Sequence, residues 1–98
     1  EPDPEEVKNR EKKLAEISKK WEKEIAGAEN REEKSHFVNE YANELLNSGF
    51  YREAETQYKK AMEVFPEDPY FRNNYAVLLE KTMRFSEAEE YYLKAMQL

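Results

Sequence analysis

Residues 35–68 read SHFVNEYANELLNSGFYREAETQYKKAMEVFPED, and residues 69–98 read PYFRNNYAVLLEKTMRFSEAEEYYLKAMQL. When the second stretch is aligned under the first without a gap, twelve of the thirty pairs are identical. A repeat of this period is typical of helical hairpins, which bury their apolar faces by stacking on one another. The sequence therefore predicts an all-α fold and argues against an enzyme.

The composition fits one small helical domain over residues 1–98. Charged residues make up 39% of the 98, whereas the chain has only two glycines and four prolines, so helix-forming residues dominate. The absence of cysteine excludes disulfides and thiolate metal sites. A net charge of −6 argues against electrostatic binding of nucleic acid. No apolar run approaches the length of a membrane span.

The first thirty residues predict a long amphipathic helix that is not a copy of the repeat. Asp3 is expected to cap a helix over residues 4–26, and Gly27 is expected to end it in a left-handed conformation. The apolar residues of this segment follow one stripe, formed by Val7, Leu14, Ile17, Trp21, Ile25 and Ala28.

This stripe is expected to pack as a lid on the first repeat, with Trp21 as its largest anchor. The alternative is a self-associating coiled coil, because positions 7, 14, 21 and 28 share one heptad position. Arg10 and Glu24 occupy the companion positions and interrupt that seam. The lid is therefore the favoured arrangement.

Turn and cap signals divide the remaining residues into four further helices, which gives five antiparallel helices in all. Asn30 with Glu33 has the spacing of a capping box, and so has Ser86 with Glu89. The helices are expected at residues 31–47, 51–65, 69–82 and 86–97. The signals between them are Gly49 in a left-handed turn, Pro66 as a stop, and the Asp68-Pro69 start.

The two stretches resemble the tetratricopeptide repeat. The resemblance is carried by Tyr41-Ala42-x2-Leu45 and Ala54-x3-Tyr58-x2-Ala61 with Pro66, and by Tyr75-Ala76-x2-Leu79 and Ala88-x3-Tyr92-x2-Ala95. Two departures exist: Val38 and Arg72 replace an aromatic residue of the first helix, and alanine replaces glycine after the first tyrosine. The resemblance implies two stacked hairpins over residues 35–68 and 69–98, the second lacking its terminal proline position.

In this family the first helix of each repeat lines an inner surface that commonly holds extended peptides. Carried over by position, the expected lining is His36, Asn39, Asn43, Leu46, Asn47, Tyr70, Asn73, Asn74, Val77, Glu80 and Lys81. Asn43 and Asn74 match two positions of the clamp that holds the acidic tails of chaperones. Asn39 stands where that clamp needs a lysine, and its later basic residues would lie in a third repeat. The clamp is therefore disfavoured.

Catalytic, cofactor and metal sites are not expected. His36 is the only histidine, a metal site needs several convergent ligands, and His36 is expected to face solvent. Ser48 and Ser86 have structural roles in a turn and a cap, and the two glycines are too isolated for a phosphate-binding loop. Other repeated side chains are expected to be core residues: Met62, Met96, Tyr58 and Tyr92, with Tyr91 more exposed.

Two functional hypotheses remain open. The favoured one is an engineered or designed scaffold with no evolved ligand or required partner, because a Glu/Lys-rich helix precedes irregular, natural-looking repeats and the first residue is Glu. The other is a domain excised from a natural cytoplasmic protein, which binds an extended peptide or a partner protein. Neither involves nucleic acid or a membrane. A monomer is expected, and Met96 and Leu98 leave an apolar end that permits a weak homodimer.

Overall fold

A computed structural model describes residues 1–97, and those residues form five α-helices and no strand. The helices are α1 (Pro4–Ala26), α2 (Arg31–Asn47), α3 (Tyr51–Val64), α4 (Pro69–Lys81) and α5 (Phe85–Met96). The predicted all-α class with five helices is confirmed. Leu98, which the sequence placed at an apolar end, lies outside the described residues.

Three helices begin at the predicted polar caps. Asp3, Asn30 and Asp68 each accept a hydrogen bond from a backbone N–H in the first turn of the helix that follows. Such a cap contributes about 1 kcal/mol relative to alanine. The capping box at Asn30 is only half formed, because the Glu33 carboxylate accepts from the backbone N–H of Glu29 instead. These local bonds explain why the helix starts follow from sequence.

The turns that end α2 and α4 are the same Schellman motif, thirty-four residues apart. After α2, Phe50 N donates to Leu45 O at 2.8 Å, and after α4, Arg84 N donates to Leu79 O at 2.7 Å. This motif requires one residue with positive φ just beyond the helix. Gly49 supplies it with φ 82°, as predicted.

Two of the predicted caps are wrong. The α5 helix begins at Phe85, and its N-cap is Arg84, without a side-chain hydrogen bond. Ser86 therefore lies inside the first turn, because the Schellman motif before it fixes where the next helix begins. Gly27 has φ −89° and is not left-handed, since Ala28 N bonds to Ile25 O and the chain leaves α1 through a tight right-handed turn.

The core lies between consecutive helices. It consists of Ile17, Tyr41, Ala42, Leu45, Leu46, Phe50, Ala54, Tyr58, Ala61, Phe65, Phe71, Tyr75, Ala76, Leu78, Leu79 and Ala88. Each helix contacts its neighbours in the chain, and α2 also contacts α4, whereas α3 and α5 stay apart among the described residues. The α2–α4 side is therefore the inner surface of the curved stack.

The N-terminal helix packs on α2 as the lid interpretation predicts. Its buried anchor is Ile17, which is 4% exposed, whereas Trp21 is only half-buried. The expectation that Trp21 is the main buried anchor of this helix is therefore wrong, because Trp21 contacts α2 but remains partly exposed. The reason is polar: the Trp21 indole N–H donates to Glu44 Oε1 at 2.8 Å, which holds the ring at the edge of the interface. Tyr41 Oη, also at this interface, donates to Ser18 Oγ at 2.9 Å.

The far end of the stack is less covered than the repeat pattern suggested. Tyr58 is fully buried, but its counterpart Tyr92 is only half-buried, and Met96 is 81% exposed. The expectation that Tyr92 and Met96 are core residues is therefore wrong. In the first repeat α4 packs against Tyr58, with 6.3 Å between the ring centroids of Tyr58 and Tyr75, and no helix of the described residues packs in this way against Tyr92. Tyr91 is equally half-buried, because its ring packs edge-on against Tyr75 at 4.7 Å between centroids.

Candidate functional site

A groove of about 560 Å³ lies on the inner surface, between the first turns of α2 and the start of α4. We call it the inner groove and define it by its lining residues, Arg31, Glu32, Ser35, His36, Asn39, Glu67, Asp68 and Tyr70. Three of them, His36, Asn39 and Tyr70, belong to the lining expected from sequence. The groove therefore occupies one end of the predicted surface.

Hydrogen bonds between α2 and the α3–α4 turn fix one wall of the groove. Ser35 Oγ donates to Asp68 Oδ2 at 2.7 Å. Arg31 donates to both carboxylate oxygens of Glu67, at 2.9 and 3.2 Å, and to the backbone oxygen of Val64. The hydrogen bond from Arg31 lowers the pKa of Glu67. Because Arg31 binds Glu67 and Ser35 binds Asp68, this part of the groove is ordered before any ligand arrives.

Three other lining residues, His36, Asn39 and Tyr70, carry groups that are available to a ligand. His36 and Tyr70 are exposed. Asn39 Oδ1 accepts a hydrogen bond from Asn74 Nδ2 at 3.0 Å, and this bond orients the Asn39 amide so that its N–H₂ group remains a free donor. The groove therefore offers a fixed amide donor beside an aromatic ring.

The charge of the lining is acidic. Its ionised groups are one guanidinium, from Arg31, and three carboxylates, from Glu32, Glu67 and Asp68. An acidic concave surface attracts cations and repels anions by several kT at low salt. An acidic peptide is therefore a poor match for this groove.

The other expected lining residues lie elsewhere. Asn43 Oδ1 accepts a hydrogen bond from the buried Tyr58 hydroxyl, whose pKa is raised by burial, so the Asn43 side chain serves the core. Leu46 is buried, and Val77 is half-buried against the core. The remaining positions are exposed outside the groove: Asn47, Asn73, Glu80 and Lys81.

Sequence reasoning missed five lining residues, which are Arg31, Glu32, Ser35, Glu67 and Asp68. Arg31 and Ser35 stand at intervals of four residues before Asn39, so extending the helical face backwards finds them. Glu67 and Asp68 lie in a turn and carry no such periodicity. Only the folding of that turn against α2 brings them to the groove.

A second polar cluster joins the two repeats. Arg84 donates to both oxygens of Glu55, at 2.8 and 3.1 Å, and the Tyr75 hydroxyl donates to Glu55 Oε2 at 2.7 Å. The hydrogen bonds from Arg84 are the largest cause that lowers the pKa of Glu55 to about 2. Burial and the neighbouring carboxylate raise the pKa of Tyr75. Since every member is partnered, this cluster is structural rather than reactive.

Neither metal chemistry nor a membrane span is indicated in the described part of the chain. Residues 1–97 contain no group of three or more histidine, aspartate or glutamate side chains placed to hold a metal ion. None of their helices combines the length and apolar character that crossing a bilayer requires.

Comparison with known proteins identifies a family. A family model described as tetratricopeptide repeat matches residues 41–97, more than half of the chain. No curated protein and no solved structure matches this chain.

Proposed function

Because this chain belongs to the tetratricopeptide repeat family, we propose that it is a non-catalytic interaction module that holds a short, basic peptide in the inner groove. Repeats of this family generally mediate protein or peptide interactions. The observation that carries the proposal is the acidic lining of the groove beside a fixed amide donor, Asn39.

The geometry favours an extended peptide over a compact ligand. The groove is open, and Asn39 can donate to one backbone carbonyl while the Tyr70 ring packs against an apolar side chain. Glu32 has no partner among the described side-chain contacts and lies at the rim, where it suits a lysine or arginine of the peptide. Specificity then comes from charge and affinity from packing.

The acidic chaperone tail remains disfavoured. Asn43 and Asn74, which match the clamp positions, are both engaged in hydrogen bonds within the chain. A carboxylate ligand would also face the three carboxylates of the lining.

The hypothesis of an engineered scaffold without an evolved ligand stays a prediction, and one titration separates it from the proposed function. Two dye-labelled octapeptides with the same apolar residues, one with three lysines and the other with three glutamates, are titrated with the protein and followed by fluorescence anisotropy. We expect the lysine peptide to bind at least about tenfold more tightly. No saturation by either peptide would support the scaffold without a ligand.

A matched pair of variants locates the binding. Glu32→Lys reverses a charge at the groove, whereas Glu40→Lys makes the same change on an exposed residue of α2 outside the groove. Rim charges are worth up to about 1 kcal/mol, so Glu32→Lys should weaken the lysine peptide about fivefold. Equal effects of the two variants would contradict the inner groove as the site.

A further inference from the structure

A second groove, of about 730 Å³, lies on the outer side of the stack between the described helices α3 and α5, which do not contact each other. We call it the outer groove and define it by six of its lining residues, which are Lys59, Met62 and Glu63 of α3, Arg72 of α4, and Tyr91 and Lys94 of α5. It shares no lining residue with the inner groove or with the depression around Met96 at the end of the stack. The outer groove is therefore a separate surface, to which three described helices contribute.

The lining of the outer groove is basic, although the chain as a whole is acidic. Lys59, Arg72 and Lys94 bring three positive charges, and Glu63 brings one negative charge. The whole chain, by contrast, has a net charge of −6. A groove lined by one sign of charge concentrates ligands of the opposite sign, so this groove favours an anionic ligand.

Arg72 is a half-buried cation without a carboxylate partner. It is one of the two departures from the repeat pattern, and Val38 stands at its position in the first repeat. One of its guanidinium nitrogens donates to the backbone oxygen of Pro66 at 3.1 Å, and none of the salt bridges in the described part of the chain involves it. The remaining N–H donors of the guanidinium are available to a ligand. Because a partly desolvated charge gains from an opposite charge, an anion beside Arg72 is favoured.

The two lysines come from opposite walls of the groove, α3 and α5. Lys94 Nζ lies 4.6 Å from the centroid of the Tyr91 ring, and Lys59 Nζ lies 3.5 Å from Glu55 Oε2. The Glu55 carboxylate already accepts two hydrogen bonds from Arg84, and the Lys59 side chain is 60% exposed. Since lysine carries its charge on a flexible stem, both ammonium groups can turn towards a ligand that lies between them.

This set of side chains suits a phosphate monoester better than a carboxylate. A phosphate monoester carries close to two negative charges at pH 7 and three acceptor oxygens, which match cations from three helices. The half-buried Met62 and Tyr91 add apolar surface for a side chain beside the phosphate. Because α3 and α5 stay apart along the groove, an extended chain fits it better than an enclosed small molecule.

We propose that the outer groove binds a phosphorylated serine of a partner protein, in an extended segment with an apolar residue beside the phosphoserine. Arg72 donates to the phosphate oxygens in the planar geometry of its guanidinium, and Lys59 and Lys94 neutralise the remaining charge. Cations clustered around an arginine are a recurrent means of recognising phosphorylated segments. This site is additional to the inner groove and uses none of its residues.

Three dye-labelled octapeptides test the proposal by fluorescence anisotropy. They differ at one position beside a leucine, which is phosphoserine, serine or glutamate, and their other residues and blocked termini are uncharged. We expect the phosphoserine peptide to bind at least about tenfold more tightly than the serine peptide. The glutamate peptide should stay within about threefold of the serine peptide, because one carboxylate pairs with fewer of the cations.

Two neighbouring lysines of α3 give the matched variants. Lys59→Gln removes a lining cation, whereas Lys60→Gln makes the same change on an exposed residue outside the groove. We expect Lys59→Gln to weaken binding of the phosphoserine peptide about fivefold and Lys60→Gln to change it less than about twofold. Arg72→Lys keeps the charge without the planar donors and should weaken binding about fivefold. Glu63→Gln removes the opposing charge and should tighten binding about twofold, a gain that misfolding does not produce.

Four results would overturn the proposal. The first is a phosphoserine peptide that binds no more tightly than the serine peptide. The second is a glutamate peptide that binds as tightly as the phosphoserine peptide, since a carboxylate would then suffice. The third is an equal effect of Lys59→Gln and Lys60→Gln. The fourth is inorganic phosphate that displaces the labelled peptide at the same concentration as the unlabelled phosphoserine peptide does, because the ligand would then be a free anion.

The proposals for the two grooves fail separately. Lys59→Gln should leave the affinity for the lysine peptide within about twofold, and Glu32→Lys should do the same for the phosphoserine peptide, because the grooves share no lining residue. Loss of either peptide therefore leaves the other proposal intact.

Discussion

Gly49 and Met83, thirty-four residues apart, occupy the same left-handed position at the ends of α2 and α4. Their φ angles are 82° and 63°. In both turns the next residue donates its backbone N–H to the carbonyl four positions before the left-handed residue, which belongs to Leu45 in the first turn and to Leu79 in the second. Glycine adopts this conformation without steric cost, whereas a side chain with a Cβ is strained there. Met83 is the only non-glycine residue with positive φ among residues 1–97.

The first prediction is that Met83→Gly stabilises the protein. The side chain is 79% exposed, so its removal costs little packing, while relief of the left-handed strain contributes about 1 kcal/mol. Urea unfolding followed by circular dichroism measures the change. The matched control is Gly49→Ala, which should destabilise by about 1 kcal/mol through strain alone, because the nearest atom to an added Cβ is 3.9 Å away. If Met83→Gly lowered the free energy of unfolding, the left-handed conformation of Met83 would not be strained.

The second prediction concerns the dependence of stability on pH. Because Arg84 lowers the pKa of Glu55 to about 2 from the ordinary value of 4.5, this carboxylate stabilises the folded chain above about pH 4.5. The stabilisation is lost as the pH falls from about 4.5 towards 2. Glu55→Gln should therefore lower the free energy of unfolding by about 1–2 kcal/mol at pH 7, after allowance for the solvent screening of Arg84.

The difference between Glu55→Gln and the unchanged chain should shrink towards zero near pH 2. Chemical unfolding at pH 7, 4.5, 3 and 2 measures it. Glu63→Gln, on an exposed position of the same helix, should stay within about 0.5 kcal/mol of the unchanged chain. A difference for Glu55→Gln that is constant over this range would contradict the ionic contribution.

The third prediction tests the packing of α1 on α2. Trp21→Ala removes a half-buried ring that packs near Phe37, at 6.4 Å between centroids, and the hydrogen bond to Glu44. It should destabilise by about 2–3 kcal/mol, less than the 3–5 kcal/mol typical of a fully buried large aromatic residue. Trp21→Phe keeps much of the packing and should lose about 1 kcal/mol.

Circular dichroism follows these unfolding experiments, because the variants lack the only tryptophan. Glu22→Ala, an exposed change on the same helix, is the control and should stay within about 0.5 kcal/mol. A loss below that value for Trp21→Ala would mean that α1 does not rest on α2 in solution.

Much of the fold follows from short-range features of the sequence. The helix starts at Pro4, Arg31 and Pro69 were predicted because caps such as Asp68 act within two or three residues. The left-handed turn at Gly49 was predicted for the same reason. The expected N-cap at Ser86 is wrong, because the Schellman motif at the end of α4 fixes the start of α5 at Phe85. The position of that motif depends on the whole of α4.

The residues of the candidate site were predicted less completely from the sequence than the helices were. His36, Asn39 and Tyr70 line the inner groove as expected, but Asn43 and Asn74 bond within the chain. An asparagine on a helix face has the same pattern whether it meets a ligand or a neighbouring helix.

The sequence by itself determined the five helices, the thirty-four-residue repeat and the family, because hydrophobic periodicity and capping are properties of residues a few positions apart. Only the tertiary structure decided that Glu55 binds Arg84, that Trp21 stays at an edge, and that Tyr92 is left half-buried where Tyr58 is covered. These outcomes depend on which helix arrives beside each side chain. Identical residues in the two repeats therefore have different environments, because α4 packs on α2 and α3 of the first repeat, whereas no helix among the described residues packs in the same way on the second.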